Sequence, residues 1–385
     1  MPGSGHGSVL ALICVALAAG CGGRAHVRMS LTPAVTLMDA PVHLSISGLA
    51  AHERFAVRDG DRSVHLRADG GGRVDVRGDA SLRLLWLLDP RGAGRMTLAI
   101  PGAHATITRL ARAPGVRIRL LRPAHGGLYA DYYAPTHAGT SPGILVFGGS
   151  EGGLSSFPRA VAGLYASHGY PALALGYFAL PGLPPDLHRV PLEYFAKALR
   201  WLARQPGVDP AKLVVEGVSR GSEAAQLVGI HYPRLVHAVI AMVPGSGSSC
   251  GIPAFRGNLA VHCIGAAWMF RGRPVPYSLR GPATPYPFHD ERIDGPVFLD
   301  CAGFDELWAS CPMAQAIVAR LEAHHFRHRV TFLYYPQAGH GVGPLLPSPP
   351  GSLPILEGAS PDSNVDADAN GWPRLLSFLR RLADS

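Results

Sequence analysis

Lysine is nearly missing from this sequence. Of its 35 basic residues only Lys197 and Lys212 are lysines, and the arginines are scattered along all 385 positions. No block of five or more basic residues occurs. The net charge of +8 therefore forms no stripe that would track a phosphate backbone, and nucleic acid is not an expected partner. Charged residues are scarce at 16%, against 47% hydrophobic. That balance excludes a disordered chain and allows a sizeable core. There is no CxxC pair and no clustered Cys/His spacing, so no zinc site is expected. The glycine cluster FGGSEGGLSSF (147–157) is neither a Walker A loop, since it has no GK[ST], nor G-x-G-x-x-G. No metal or organic cofactor is expected, and no internal repeat is visible.

Long apolar runs are also lacking. Ser8 to Gly20 (SVLALICVALAAG) spans 13 residues, too few to cross a bilayer but suited to the h-region of a secretory signal. It ends in LAAGC, which resembles a bacterial lipoprotein processing site with Cys21 as the lipidated residue. No Lys or Arg precedes it, only His6. The expectation is a lipoprotein-type signal over residues 1–21, export, and membrane attachment through Cys21; a cytoplasmic protein is the alternative if this segment is not a signal. Four cysteines then remain, Cys250, Cys263, Cys301 and Cys311. Four allow three connectivities, of which the local pairs 250–263 and 301–311 are the simplest.

Residues 32–122 read as short, partly alternating β-runs broken by Gly, Asp and Pro, which predicts a small antiparallel sandwich domain. From about residue 125 to the end, apolar strands alternate with helical patterns. GILVFGG, YPALALGYF, KLVVEGVS, LVHAVIAMVP, PVFLDCAG and HRVTFLYYP read as strands. FPRAVAGLYASHG, PLEYFAKALRWLARQPG, RGSEAAQLVGIHYP, CPMAQAIVARLEAHH and WPRLLSFLRRLA (372–383) read as helices. Such alternation implies a mostly parallel sheet covered on both faces. Residues 245–292, rich in Gly, Pro, Ser and aromatics, read as a cap-like insertion. Residues 343–371 form a second Pro/Ser/Asp-rich excursion.

Gly217-Val218-Ser219-Arg220-Gly221 fits the G-x-S-x-G nucleophile elbow, placed after an apolar strand and at the start of a helix. That chemistry needs a serine on a sharp turn whose flanks carry no bulk. The Arg220 N–H, at a helix start, is a candidate oxyanion donor. In chain order an acid and then a histidine should follow. Asp305 stands just past one strand and His340, between two glycines, just past the next. Asp300 lies inside its strand and Glu306 one step along the loop, so both are weaker candidates than Asp305. In this scheme Ser219 attacks, His340 carries the proton and Asp305 orients the imidazole. The turn FGGSEGGLSSF (147–157) follows the first strand of this region, and Ser150 or Glu151 is expected to supply the second oxyanion N–H.

Several of these stretches together, SPGILVFGGSEGG, PLEYFAKAL, GVSRGSEAA, GFDELW and YPQAGHGVGP, resemble the acyl-CoA thioesterases related to bile acid-CoA:amino acid N-acyltransferase. The resemblance covers most of the chain after residue 32. It implies an α/β-hydrolase fold behind an N-terminal β-domain, a triad of Ser219, Asp305 and His340, and cleavage of an acyl thioester. Transferases of that family tend to carry cysteine as nucleophile, so Ser219 implies hydrolysis here. Two other functions remain open from the residues: an exported carboxylic-ester hydrolase, dienelactone hydrolase-like enzyme or peptidase, and a surface lipoprotein without catalysis.

Overall fold

The computed structural model describes residues 26–123, 127–136, 139–254, 262–279, 286–343, 345–346 and 360–384. The expected signal segment 1–21, with Cys21, lies outside the described residues, as do 255–261 and 280–285 of the expected cap.

The N-terminal unit contains β1 (Arg28–Thr32), β2 (Val35–Leu37), β3 (His43–Ser47), β4 (Arg54–Asp59), β5 (Arg62–Arg67), β6 (Val74–Val76), helix α1 (Asp79–Leu88), β7 (Gly94–Ile100) and β8 (Ala103–Leu110). Strands β1, β3 and β6 form one sheet; β2, β8, β7, β4 and β5 form a second. Burial alternates along β3, as a period of two requires. Leu44, Ile46, Val57, Leu98 and Ile107 fill the space between the sheets.

Two features depart from the predicted sandwich. Strands β2 and β8 pair in parallel, and DASLRLLWLL is a helix rather than more β. The helix follows Gly78, whose φ of 57° breaks the extended run. Its leucines then serve two cores: Leu84, Leu85 and Leu88 face the β-unit, while Leu82, Trp86 and Leu87 face the second unit. A segment apolar on nearly every side is needed where two bodies meet on one helix.

The second unit begins earlier than the sequence suggested. Strand β9 (Arg117–Leu121) was expected within the β-domain, but it pairs with β10 (Tyr129–Ala134), Leu121 opposite Ala130. There follow β11 (Ser141–Phe147), α2 (Ser156–Ser167), β12 (Ala172–Gly176), β13 (Val190–Pro191), α3 (Leu192–Leu202), β14 (Val208–Val218), α4 (Arg220–His231) and β15 (Ala238–Met242). The short strands β16 (Gly247–Ser248), β17 (Trp268–Phe270), β18 (Arg273–Pro274) and β19 (Tyr286–Pro287) occupy the expected cap region. Then come β20 (Val297–Ala302), α5 (Ser310–Ala323), β21 (Val330–Tyr335) and α6 (Pro361–Asp384).

Among the described residues, eight strands pair in the order β21-β20-β15-β14-β11-β12-β10-β9. From β21 to β12 the neighbours are parallel; β10 and β9 add antiparallel pairs at the edge. Successive residues of β11 enter opposite cores. Leu145 and Phe147 belong to one core with Phe195 of α3, Ala224 of α4 and Ile317 of α5. Ile144 and Val146 join Val161 of α2 and Trp372 of α6. Strands apolar on both faces are therefore buried on both faces, an α/β-hydrolase fold preceded by a β-unit.

Helix α6 starts eleven residues before the predicted one, inside what read as an irregular excursion. Gly371 and Pro373 look like breakers in sequence. Burial of Val365, Ala369, Trp372 and Leu375 along one face holds the helix through them.

Candidate active site

The C-terminal ends of β14, β20 and β21 converge on one edge of the sheet, where α/β sheets place their sites. Ser219 follows β14 with φ 55° and ψ −126°, a conformation costly for any residue with a Cβ. Its N–H donates to Met242 O at 3.0 Å, and its carbonyl accepts from Ser222 N and Ser222 Oγ at 2.8 and 2.6 Å. The flanking glycines are steric necessities. A Cβ on Gly217 would collide with Gly221 O, and one on Gly221 with Gly148 O.

Asp305 stands in the loop after β20. Its Oδ1 accepts from Leu307 N and Trp308 N, both at 3.1 Å, and its Oδ2 meets His340 Nδ1 at 2.8 Å. Both side chains are buried, 1% exposed for Asp305 and 6% for His340. The Trp308 ring meets the imidazole edge-on at 6.0 Å, and its Nε1 donates to Val243 O. His340 opens a single 3-10 turn, His340–Val342, after β21. A Cβ on the next residue, Gly343, would stand 2.8 Å from Val218 Cγ1. The imidazole turn thus rests on the residue preceding Ser219. Asp300 is spent elsewhere, accepting Val243 N–H at 2.8 Å.

The glycine-rich loop after β11 lies against the serine. A Cβ on Gly149 would stand 2.9 Å from Ser219 Cβ and 3.4 Å from Glu151 Oε2. The Gly148 and Gly149 carbonyls both accept from Tyr177 Oη, at 3.0 and 2.8 Å. Of the expected oxyanion donors, Arg220 opens α4 beside the serine and Ser150 stands in this loop. The Glu151 N–H faces its own carboxylate, which also accepts Gly149 N–H at 2.8 Å and Ser155 Oγ at 3.1 Å. Although Glu151 is exposed as a residue, its carboxyl end is crowded by protein. Loss of hydration raises its pKa, and the nearby His340 pulls it down less strongly.

Sequence reasoning missed a buried polar knot beside the serine. The Arg220 guanidinium pairs with Glu223, Nε to Oε1 at 3.1 Å, and donates to Ser249 O at 3.2 Å. Trp268 Nε1 donates to Glu223 Oε2 at 2.7 Å. Ser249 and Trp268 belong to the cap region, so the residue after the serine is fastened to the cap. A charged pair one turn apart in an otherwise apolar, buried helix was the signal available.

The cysteines divide. Cys301, on β20, and Cys311, on α5, form a disulfide. Cys250 and Cys263 are thiols, which corrects the expected second bridge. Cys250 lies opposite Ala266 in its β-bridge, so its direct cross-strand neighbour is not Cys263. The two sulfurs still interact, and burial with that contact pushes the Cys250 thiol up to about 11.

An α/β-hydrolase sheet with a serine elbow and a bonded His–Asp pair at its carboxyl edge defines a hydrolase-type site. The chain belongs to the family described as BAAT / Acyl-CoA thioester hydrolase C terminal, which matches residues 190–383. Acyl-coenzyme A thioesterase 6 of Mus musculus is 27% identical over 401 residues, covering 89% of this chain and 93% of that protein. Acyl-coenzyme A amino acid N-acyltransferase 2 of Rattus norvegicus is 29% identical over 302 residues, 73% of this chain and 69% of that protein. Among solved structures, a dienelactone hydrolase from Anabaena variabilis is 14% identical with a TM-score of 0.42, covering 69% of this chain and 99% of that chain.

Proposed function

We propose that this protein is a serine hydrolase that cleaves acyl thioesters through an acyl-enzyme on Ser219. The observation that carries the reading is the His340 Nδ1–Asp305 Oδ2 bond of 2.8 Å, set against the same strand edge as a strained serine between two obligatory glycines. Asp305 holds the proton on Nδ1, which leaves Nε2 free to accept the Ser219 proton as Oγ attacks the acyl carbon. The resulting oxyanion is met by the Arg220 N–H and an N–H of the glycine loop. His340 then protonates the departing thiolate, and water hydrolyses the acyl-enzyme by the same route in reverse. The thioester class is supported by relatives named as acyl-coenzyme A thioesterases.

Export is part of the proposal. It is supported by the Cys301–Cys311 disulfide, a bond that persists in oxidising compartments, and by the apolar run ending at Cys21. An exported enzyme meets esters as well as thioesters, which keeps carboxylic-ester hydrolysis as the second reading.

The test measures kcat/KM of the full chain on a long-chain acyl-CoA and on the p-nitrophenyl ester of the same acyl group, with Ser219→Ala as blank. The expected result is preference for the thioester and a loss of about 10⁴-fold or more in the variant. Turnover of the aryl ester alone would overturn the thioester reading. Absence of labelling of the wild-type protein by a fluorophosphonate would overturn the serine mechanism itself.

A further inference from the structure

The carboxylate of Glu151 sits where an enzyme of this kind can least use a negative charge. It takes the Gly149 N–H and its own N–H, two backbone donors of the loop that borders Ser219. Ser219 Cβ and Glu151 Oε2 both lie within 3.4 Å of the point where a Gly149 Cβ would stand. The same carboxylate is so closely tucked under its loop that a Cβ on Gly148 would collide with Oε1. Among the described residues, the groups that face it come from three further elements. Ser155 Oγ comes from the start of α2 and His340 from beyond β21. The Tyr177 phenol, beyond β12, feels its charge and is itself flanked by Arg220 and Glu223 of α4.

We propose that Glu151 is a built-in competitor for the oxyanion site: in the free enzyme its carboxylate occupies the Gly149 and Glu151 N–H groups of the loop beside Ser219, and acylation requires that it leave or become neutral. The inference rests on the proposed role of Ser219. Its physical basis is charge exclusion. Two anions sharing one desolvated cradle repel strongly, so the developing oxyanion and an ionised Glu151 do not both use these donors. Burial raises the Glu151 pKa above the ordinary carboxylate value, so neutralising it costs less than neutralising a fully hydrated carboxylate. A substrate that brings enough binding energy to displace or protonate Glu151 is processed; a small, weakly bound ester is not. The residue thereby filters substrates by binding energy rather than by shape.

Butylboronic acid tests this directly. Ser219 Oγ adds to boron, the hydroxyl proton passes to His340, and the four-coordinate boron carries the negative charge that an oxyanion would. Its Kd would be measured from pH 5 to 8 for wild type, Glu151→Gln and Glu151→Ala, with thermal melts to establish folding. The expected result is binding about tenfold tighter or more in Glu151→Gln at pH 7.5. That advantage should shrink as pH falls, because the wild-type carboxylate then takes up a proton. The glutamine retains an oxygen for Gly149 N–H, so a purely loop-shaping Glu151 would leave Glu151→Gln equal to wild type and weaken Glu151→Ala. Equal or weaker binding by both variants at every pH overturns the proposal. Loss of boronate binding in wild type as well overturns the Ser219 reading along with it.

Discussion

Gly217 and Gly221 show how much a single hydrogen decides at this site. Each lies where a methyl group would strike a backbone carbonyl, and backbone cannot swing aside as a side-chain tip can. Gly221→Ala should therefore displace the elbow from Gly148, lowering both the melting temperature and kcat, the latter by at least about 100-fold; wild-type kcat in a folded Gly221→Ala protein would refute the packing argument. Glu216, three residues before the serine, makes a separate prediction. It is fully buried, accepts from Tyr165 Oη at 2.5 Å, and burial raises its pKa from 4.5 to about 7. A raised carboxyl pKa in the folded state gives stability that is complete below pH 4.5 and is lost as pH climbs through about 7. Isosteric Glu216→Gln should flatten that dependence, a difference on the order of 3 kcal/mol between the two limits, read from urea melts at pH 5 and pH 8. At this scale the serine, the acid and the histidine stood out in the sequence because each follows a strand and glycines mark the turns. Glu151's carboxylate did not, since nothing in GGSEGG says that the side chain folds back on its own loop.

Elements carry the next layer of dependence. The disulfide joins the end of β20 to the start of α5, and the loop it closes holds Asp305. Chain-entropy arguments assign a loop of this size roughly 2–3 kcal/mol. Cys301→Ser/Cys311→Ser should lower the melting temperature and also loosen Asp305 from His340, so that kcat falls more than KM rises; unchanged kinetics in a destabilised variant would separate the bridge from the site. On the cap side, Trp268→Phe deletes the donor to Glu223 Oε2 and leaves a buried carboxylate short of a partner, a cost of about 1–3 kcal/mol. Because Glu223 also pairs with Arg220, the loss should appear in kcat/KM as well as in the melt. Alternation of apolar strands with helices was legible, and the central strands fall where it put them. Helix α1 and the first half of α6 were not, because their Asp, Ser and Gly mimic loop chemistry while tertiary burial decides the conformation.

The whole molecule is tied together across its length. Asp39 Oδ2 in the β-unit meets Trp372 Nε1 at 2.7 Å and His168 Nε2 at 2.6 Å, and Arg83 of α1 pairs with Asp366 of α6. Deleting the Asp39 carboxylate should thus destabilise both units in one step: Asp39→Ala is expected to unfold in a single transition at lower urea, and two resolved transitions would show that the units are energetically independent. No local pattern announces a contact 333 residues apart, which is why the sequence suggested two separate bodies and not their shared core.

That shared core has a consequence for how the protein is made. Met38 and Trp86 emerge early from the ribosome, whereas Trp372, which stacks on Tyr165 at 5.6 Å, is among the last residues synthesised. At about 5–20 residues per second, roughly 20 to 70 s separate Asp39 from Trp372. During that interval one face of the central sheet can be covered by α3, α4 and α5, while the other has α2 but still waits for α6. Whatever accompanies the nascent chain, chaperone or export machinery, handles a sheet finished on one side and only partly covered on the other.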